Sequence, residues 1–410
     1  MGHTLFLCHR LPFPPNRGDK IRSHHLLRAL ANLGPVHVGT FADDEDDAVH
    51  QLDLQLLAMS HHVAARTRPL PLAGLAALRS GLPVSLTAFE DEGLRNYVER
   101  TLGAFPVDTI VVFSGQMGQY VPASWKGRLI VDFVDADSAK FDAYAATARW
   151  PMRWVHSREA RLLREEESRL AARADVSLLV SEDEAALFRA RLRQPLSADV
   201  RVMGNGIDIL AFDPALVAPA AELAALSGPP VIYTGQMDYP PNVAAVVRAV
   251  HRIMPLVRSE IPDASFHVVG RRPVAEVQAL EGLHGCRVWG RVEDIRPWLR
   301  GADLALVPLE IARGVQNKVL EAMAMSLPVV ASTQAGTGLA ASPGRDFAVG
   351  LTDEEIARAV IALLRDRPAA RAMGLAARRF VEQHHDWDAM LAPLADMLRA
   401  PRRRSHRHAA

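Results

Sequence analysis

Cysteine is nearly absent from this chain, with only Cys8 and Cys286 among 410 residues. That excludes a disulfide scaffold and a four-cysteine zinc site. Both cysteines fall in apolar, strand-like runs, which predicts buried thiols and a reducing, cytoplasmic setting. Excess charge is absent too. Basic and acidic residues number 47 each, so no global field argues for nucleic acid, and none is expected as a partner. Long apolar runs are also missing. The longest uncharged window, 322–344, is broken by Pro, Ser, Thr, Gln and Gly and cannot span a bilayer. Residues Thr4–Cys8 are too short for a signal-peptide core and lead into a Pro-rich loop. Membrane association, if it occurs, is expected to be peripheral, on the inner face of the cytoplasmic membrane. Lysine is the last scarcity, four among the 47 basic residues. In a chain that has drifted to arginine, Lys20, Lys126, Lys140 and Lys318 become candidates for positions that need a compact ammonium.

What is present reads as a folded, soluble protein, 49% hydrophobic and 23% charged. The length exceeds one ordinary core and suits two domains of about 200 residues. Short apolar or β-branched runs (Thr4–Cys8, Val36–Phe41, His62–Ala65, Thr109–Phe113, Leu129–Phe133, Val176–Val180) alternate with helical patterns such as Asp19–Leu33. Runs without polar alternation suit strands buried on both faces, hence parallel sheets. Around 213–230 the composition turns to Pro, Ala, Ser and Gly, which predicts a linker. The alternation then restarts at Val231–Thr234, Ser265–Val269, Arg287–Trp289, Asp303–Val307 and Pro328–Ala331. The expected fold class is α/β, with two Rossmann-like, doubly wound domains facing across a cleft that holds the ligand. The expected divisions are 1–213, an acceptor-side domain, and 228–385, a donor domain. A helix over 386–400 would pack back on the first domain, ahead of a basic tail, 401–410.

Three segments could carry chemistry. The first runs from Pro12 through Arg17, Gly18, Asp19 and Lys20 to Arg22, His24 and His25, and follows the first strand. Gly18 permits close backbone approach, the helix start offers free N–H groups, and Arg17, Lys20 and Arg22 supply charge for an anion. The alternative is a structural loop with Asp19 as N-cap. His24 and His25 suit packing or surface roles better than metal ligation. The second segment is Arg313-Gly-Val-Gln316-Asn317-Lys318-Val-Leu-Glu321. At about 100° per residue, Asn317, Lys318 and Glu321 share one arc while Val319, Leu320 and Met323 face the sheet. A carboxylate there can bind the vicinal hydroxyls of a ribose, and a lysine beside a helix start can neutralise a diphosphate. The third is Tyr233-Thr-Gly235-Gln236-Met-Asp238-Tyr-Pro-Pro-Asn242. Gly235 allows a tight strand-to-helix turn, and Asn242 is expected to cap the next helix.

These segments, with Asn205-Gly-Ile-Asp208 and Glu321-Ala-Met-Ala before Pro328-Val-Val-Ala-Ser332, resemble GT-B retaining glycosyltransferases of family 4. More narrowly, Pro12-Phe-Pro-Pro-Asn-Arg-Gly-Asp-Lys20, Val131-Asp-Phe-Val-Asp-Ala-Asp-Ser138 and Gly314-Val-Gln-Asn-Lys-Val-Leu-Glu-Ala-Met-Ala324 look like sugar transferases of PEP-CTERM/exosortase exopolysaccharide loci. The resemblance implies a hexosyltransferase that takes a nucleotide-diphosphate sugar as donor and a glycan or polyprenyl-linked acceptor, without a cofactor or metal. It implies donor binding by Glu321, Asn317, Gln316, Gly235, Gln236, Arg271 and Gly18, and acceptor binding by Arg17, Asp19, Lys20 and His24. Lys318, Arg313 and Asp135 are the implied catalytic residues. The chain departs from the pattern in three places. Arg313 stands where many relatives carry the first Glu of Glu-x7-Glu. Gln236 and Pro241 replace the usual diphosphate-gripping Arg/Lys pair, so Arg313, Lys318 and Arg271 would supply that charge. Asp135 stands near the place of the family's catalytic-face histidine.

Other signatures are weaker. Gly336-Thr-Gly338-Leu-Ala-Ala341 fits a relaxed dinucleotide pattern without a clean helix after it. His384-His385-Asp386 lacks a further ligand cluster, and no paired Cys/His framework or Gly-x-Ser-x-Gly elbow exists. Two other functions fit the same architecture. A nucleotide-sugar 2-epimerase would need acid/base carboxylates, for which Asp132, Asp135 and Asp137 are the nearby set. A non-catalytic sugar-nucleotide binding subunit would fit the missing Arg/Lys pair.

Overall fold

The computed structural model describes residues 2–400 apart from 16, 44–46, 48, 67, 196–197 and 313–314. Candidate Arg313 and the basic tail 401–410 thus lie outside the described residues. The chain forms two compact units, Met1–Met203 with the chain from Leu391 onward, and Gly204–Met390.

The first unit is built on β1 (His3–Cys8), β2 (Val36–Ala42), β3 (Ser60–Ala65), β4 (Val107–Phe113), β5 (Arg128–Val134), β6 (Val176–Leu179) and β7 (Val200–Val202). They form one parallel sheet in the order β3-β2-β1-β4-β5-β6-β7. The second unit holds β8 (Pro230–Thr234), β9 (Ser265–Val269), β10 (Cys286–Gly290), β11 (Leu304–Val307), β12 (Val329–Ser332) and β13 (Ala348–Gly350). Its parallel order is β10-β9-β8-β11-β12-β13. Strands β2, β8, β11 and β12 are buried along their whole length, as helices on both faces require. In each unit the first strand lies between strands to which the chain departs in opposite directions. That reversal opens a crevice at the carboxyl ends, between β1 and β4 and between β8 and β11.

Several sequence expectations need correction. The three-residue edge strands β7 and β13 have no counterpart among the expected runs, because segments so short have no period to read. The helical periodicity of Val243–Val257 predicts one unbroken helix, but the chain forms Pro240–Arg248, a π turn Ala249–Ile253, and Met254–Glu260. Pro255 has no N–H to donate and crowds the preceding turn, so the ladder slips by one residue. Pro393 likewise divides the last helix into Trp387–Leu391 and Pro393–Arg399. The stretch 213–230 is no free linker. Ala220 and Leu223 enter the second unit's core, and Ala220 N donates to Pro297 O at 2.8 Å. The chain instead passes between units after Met203, about ten residues before the expected boundary. Segment 204–208 is stitched to 385–387, with Ile207 N donating to His385 O at 2.6 Å. Gly206 is required there, since a Cβ would stand 2.6 Å from the Trp387 indole. After Leu391 the chain belongs to the first unit, where Arg128 donates to the carbonyls of Leu398 and Ala400.

Both cysteines are buried as free thiols, and burial pushes each pKa up to about 12. Gly336–Ala341 runs through turns rather than into a helix. Among the described residues no helix is long and apolar enough to cross a membrane.

Candidate active site

At the crevice of the second unit, β8 ends in Tyr233-Thr234, with Gly235 next, and the helix Asn317–Ala324 follows β11 in the chain. That helix buries Val319, Leu320 and Met323 on the sheet, which leaves Lys318 and Glu321 half-buried on the opposite side. The Lys318 Nζ donates to Asn242 Oδ1 at 2.6 Å and to the Tyr233 hydroxyl at 2.7 Å, and lies 4.3 Å from the Tyr233 ring centroid. The Tyr233 hydroxyl in turn donates to Asn242 Oδ1 at 2.7 Å. Asn242 is therefore not the helix cap that its sequence position suggests. It is a buried clamp, and its Nδ2 holds the Gln236 carbonyl at 2.9 Å.

The electrostatics are unusual for a lysine–glutamate pair one turn apart. Burial lowers the Lys318 pKa from 10.5 to about 7, against the attraction of Glu321. Burial raises the Glu321 pKa from 4.5 to about 7, against the attraction of Lys318. Yet no ion pair within 4.0 Å joins the two, and the Glu321 carboxylate accepts no hydrogen bond among the described residues. Lys318 is thus an ammonium held by neutral partners, and Glu321 a half-buried carboxyl without a hydrogen-bond donor among the described residues, groups of the kinds that can engage an anion and hydroxyls respectively.

Glycine shapes the approach. Gly235 has φ of +154°, and a Cβ there would lie 2.9 Å from Asn242 Nδ2 and 3.0 Å from Lys318 Nζ. At Gly270, after β9, a Cβ would meet the Gly235 carbonyl oxygen at 1.6 Å. Beside them the Gln236 side chain donates to Asp238 at 2.6 Å and accepts from Arg271 Nη2 at 2.8 Å. Gln316 is the N-cap of the helix and makes no side-chain cap bond, while Asn317 Oδ1 accepts from Asn205 Nδ2 at 3.5 Å. The structure thus brings Gly235, Gln236, Arg271, Gln316, Asn317, Lys318 and Glu321 to one sheet edge. Sequence reasoning included Tyr233 in this segment but gave it no role; its signal is a polar-tipped ring near the end of an aliphatic strand.

The first unit's candidates are arranged differently. Arg17 lies 2.9 Å from Asp43 and 3.0 Å from Asp19, and Arg10 pairs with the same two carboxylates at 2.7 and 2.6 Å. Burial opposes ionisation of Asp19, but His9, Arg10 and Arg17 together hold its carboxyl far below the usual range. Asp19 is no N-cap: Arg17 takes that position and makes no side-chain cap bond. Lys20 is buried against Asp47 and the Phe13 carbonyl, and Arg22 against Asp132 at 2.8 Å. The expectation that Lys20 and Arg22 offer charge to a ligand is therefore corrected, because both charges are spent inside the protein. His24 rests edge-on against Phe13 at 4.8 Å, and Gly18 is exposed at the helix start. His9, at the carboxyl end of β1, was missed by sequence reasoning. It is buried between aromatic rings with its Nδ1 unpartnered, and burial lowers its pKa.

Asp135 lines a small recess with Asp137, Glu166 and Glu167. Burial, then the charge of Asp135, raises the Asp137 pKa to about 7, and burial raises Glu167 to about 7. Asp132, one of the three carboxylates an epimerase would use, is locked by Arg22.

Residues 228–366 match the family model described as glycosyl transferases group 1. A phosphatidyl-myo-inositol mannosyltransferase of Propionibacterium freudenreichii is 26% identical over 233 residues, covering 54% of this chain and 55% of the relative. A GDP-mannose-dependent alpha-(1-6)-phosphatidylinositol monomannoside mannosyltransferase of Mycobacterium tuberculosis is 26% identical over 249 residues, covering 49% and 64%. The matches thus span only about half to two thirds of the length of these curated relatives. Among solved structures, sucrose-phosphate synthase of Thermosynechococcus elongatus superimposes with TM-score 0.67 at 18% identity, over 97% of this chain and 98% of that one. HepE of Anabaena, solved with UDP and glucose, gives TM-score 0.67 at 15% identity, over 98% and 100%. At such identities the likeness is one of fold. The chain is therefore an α/β protein of two parallel-sheet, Rossmann-like domains with GT-B glycosyltransferases among its structural neighbours, and residues 228–366 of its second unit are similar to glycosyl transferases group 1.

Proposed function

We propose that this protein is a hexosyltransferase that moves a sugar from a nucleotide-diphosphate donor to a glycan or lipid-linked acceptor, with retention, in exopolysaccharide assembly. The observation that carries the reading is the desolvated Lys318 ammonium at the β8/β11 crevice, one helical turn from an uncommitted Glu321. A diphosphate entering there gives the ammonium the counter-charge it lacks, and that charge grows as the sugar departs. Lys318 then stabilises the leaving group more than the bound donor, which is what accelerates a reaction. Glu321 would accept hydrogen bonds from ribose hydroxyls, and the glycines at 235 and 270 let the donor approach the backbone. Arg271, held by Gln236, adds charge beside them. No metal is invoked, because lysine and arginine supply the positive charge. The mannosyltransferase relatives favour a hexose donor and an acceptor carried on lipid.

A thermal-shift screen of UDP- and GDP-sugars would find the donor, and transfer from the hit to polyprenyl-linked sugars, with the product anomer read by NMR, tests the reaction. Turnover is expected to survive EDTA. Loss of activity on chelation with rescue by manganese would instead point to the Asp135-x-Asp137 pair as a metal site. Conversion of UDP-GlcNAc without any acceptor would establish an epimerase and overturn the reading.

A further inference from the structure

In the first unit, the helix Leu70–Ser80 presents the wrong residues to water. It turns Ala73 and Ala77 into the protein and leaves Leu72, Leu75 and Leu78 exposed by 58, 54 and 57%. At about 100° per residue, the three leucines centre opposite the two alanines. The hydrophobic effect alone would turn the larger side chains inward. The rotation is instead pinned by side-chain bonds to the alanine carbonyls. Thr87 Oγ1 donates to Ala73 O at 2.9 Å, and Arg158 Nη2 to Ala77 O at 2.7 Å.

A second element extends this face. Arg158 also reaches Leu82 O at 3.2 Å, and Glu159 accepts from Val84 N and Ser85 N at 2.7 and 2.8 Å. These bonds set the start of the helix Met152–Arg173 beside Leu70–Ser80. That start carries Trp150 and Trp154, 84 and 55% exposed. Arg79, Arg149 and Arg153 are exposed among them and make no ion pair among the described residues. Neither 68–89 nor 143–158 contains a carboxylate.

We propose that this face docks on an anionic lipid bilayer. The leucines and tryptophans enter the boundary between headgroups and acyl chains, and the arginines meet lipid phosphates. A second copy of the chain fits less well, since a twofold contact would set the arginines against one another. The surface belongs to the first unit alone and goes beyond the reading of sugar transfer.

Co-sedimentation of the full chain with vesicles tests it. The protein should pellet with phosphatidylcholine/phosphatidylglycerol vesicles at low salt, less so at high salt, and poorly with phosphatidylcholine alone. The triple variant Leu72→Gln, Leu75→Gln, Leu78→Gln should bind at least about tenfold more weakly. Arg149→Glu with Arg153→Glu should lose about tenfold on the anionic vesicles. Both variants should keep the wild-type melting temperature and nucleotide-induced thermal shift, so a failed transfer assay and a failed docking surface are told apart. Wild-type protein that stays in the supernatant at low salt, binds both vesicles equally, or is unaffected by the leucine changes overturns the proposal. So does a solution dimer that the leucine variant dissociates.

Discussion

Replacing Lys318 by methionine keeps most of the side chain and removes its charge. In the free protein that charge is costly, because burial pulls the lysine pKa from 10.5 to about 7 despite the attraction of Glu321. Between those values the unfolded chain holds a proton that the folded one has lost, so the lysine's contribution to stability improves as pH rises. The cost is therefore full below about pH 7 and vanishes towards pH 10.5. The displacement sets an upper bound of about 5 kcal/mol. Partial contact with solvent and the lost attraction for Glu321 reduce this, leaving an expected gain of about 1–2 kcal/mol for the variant at pH 7. That corresponds to roughly 2–8 °C in melting temperature. No polar group is orphaned by the change, since Tyr233 still donates to Asn242. Donor binding should move the other way. Losing a charge-assisted bond to the diphosphate costs about 1.5–3 kcal/mol, or one to two orders of magnitude in affinity. In the wild type, donor affinity should fall by up to about tenfold per pH unit above pH 7, because binding must restore the proton. Calorimetric melting at neutral and alkaline pH measures the first effect. Titration calorimetry in two buffers of different ionisation enthalpy measures the proton uptake. A methionine variant that melts lower and binds the donor as well as wild type would make Lys318 a structural residue and refute the reasoning.

Two further outcomes can be checked directly. Glu321→Gln keeps the shape but loses charge-assisted bonds to the ribose, so donor affinity should drop by about one to two orders of magnitude with an unchanged fold; titration calorimetry decides. Arg22→Ala should destabilise the first unit by about 3–5 kcal/mol in urea melts, because it removes the ion-pair partner of the fully buried Asp132, whereas Arg22→Met with Asp132→Leu should recover most of that loss.

The sequence by itself determined the architecture of this protein and which residues gather at the β8/β11 sheet edge of its second unit. Unbroken apolar runs such as Thr109–Phe113 and Val231–Thr234 are legible because a strand buried on both faces tolerates no polar alternation. The polar arc of Asn317, Lys318 and Glu321 was legible because helical periodicity is local. What only the tertiary structure decided depends on partners far along the chain. The charges of Lys20 and Arg22 looked free until Asp47 and Asp132, 27 and 110 residues away, proved to neutralise them. Asn242 looked like a cap until the fold set it beside a lysine 76 residues later. Likewise 213–230 has the composition of a linker, but Ala220 and Leu223 find a core to enter. Strand and helix patterns reflect neighbours within a few residues. Charge pairing, burial and the lowered pKa of Lys318 are properties of what the chain brings back from a distance.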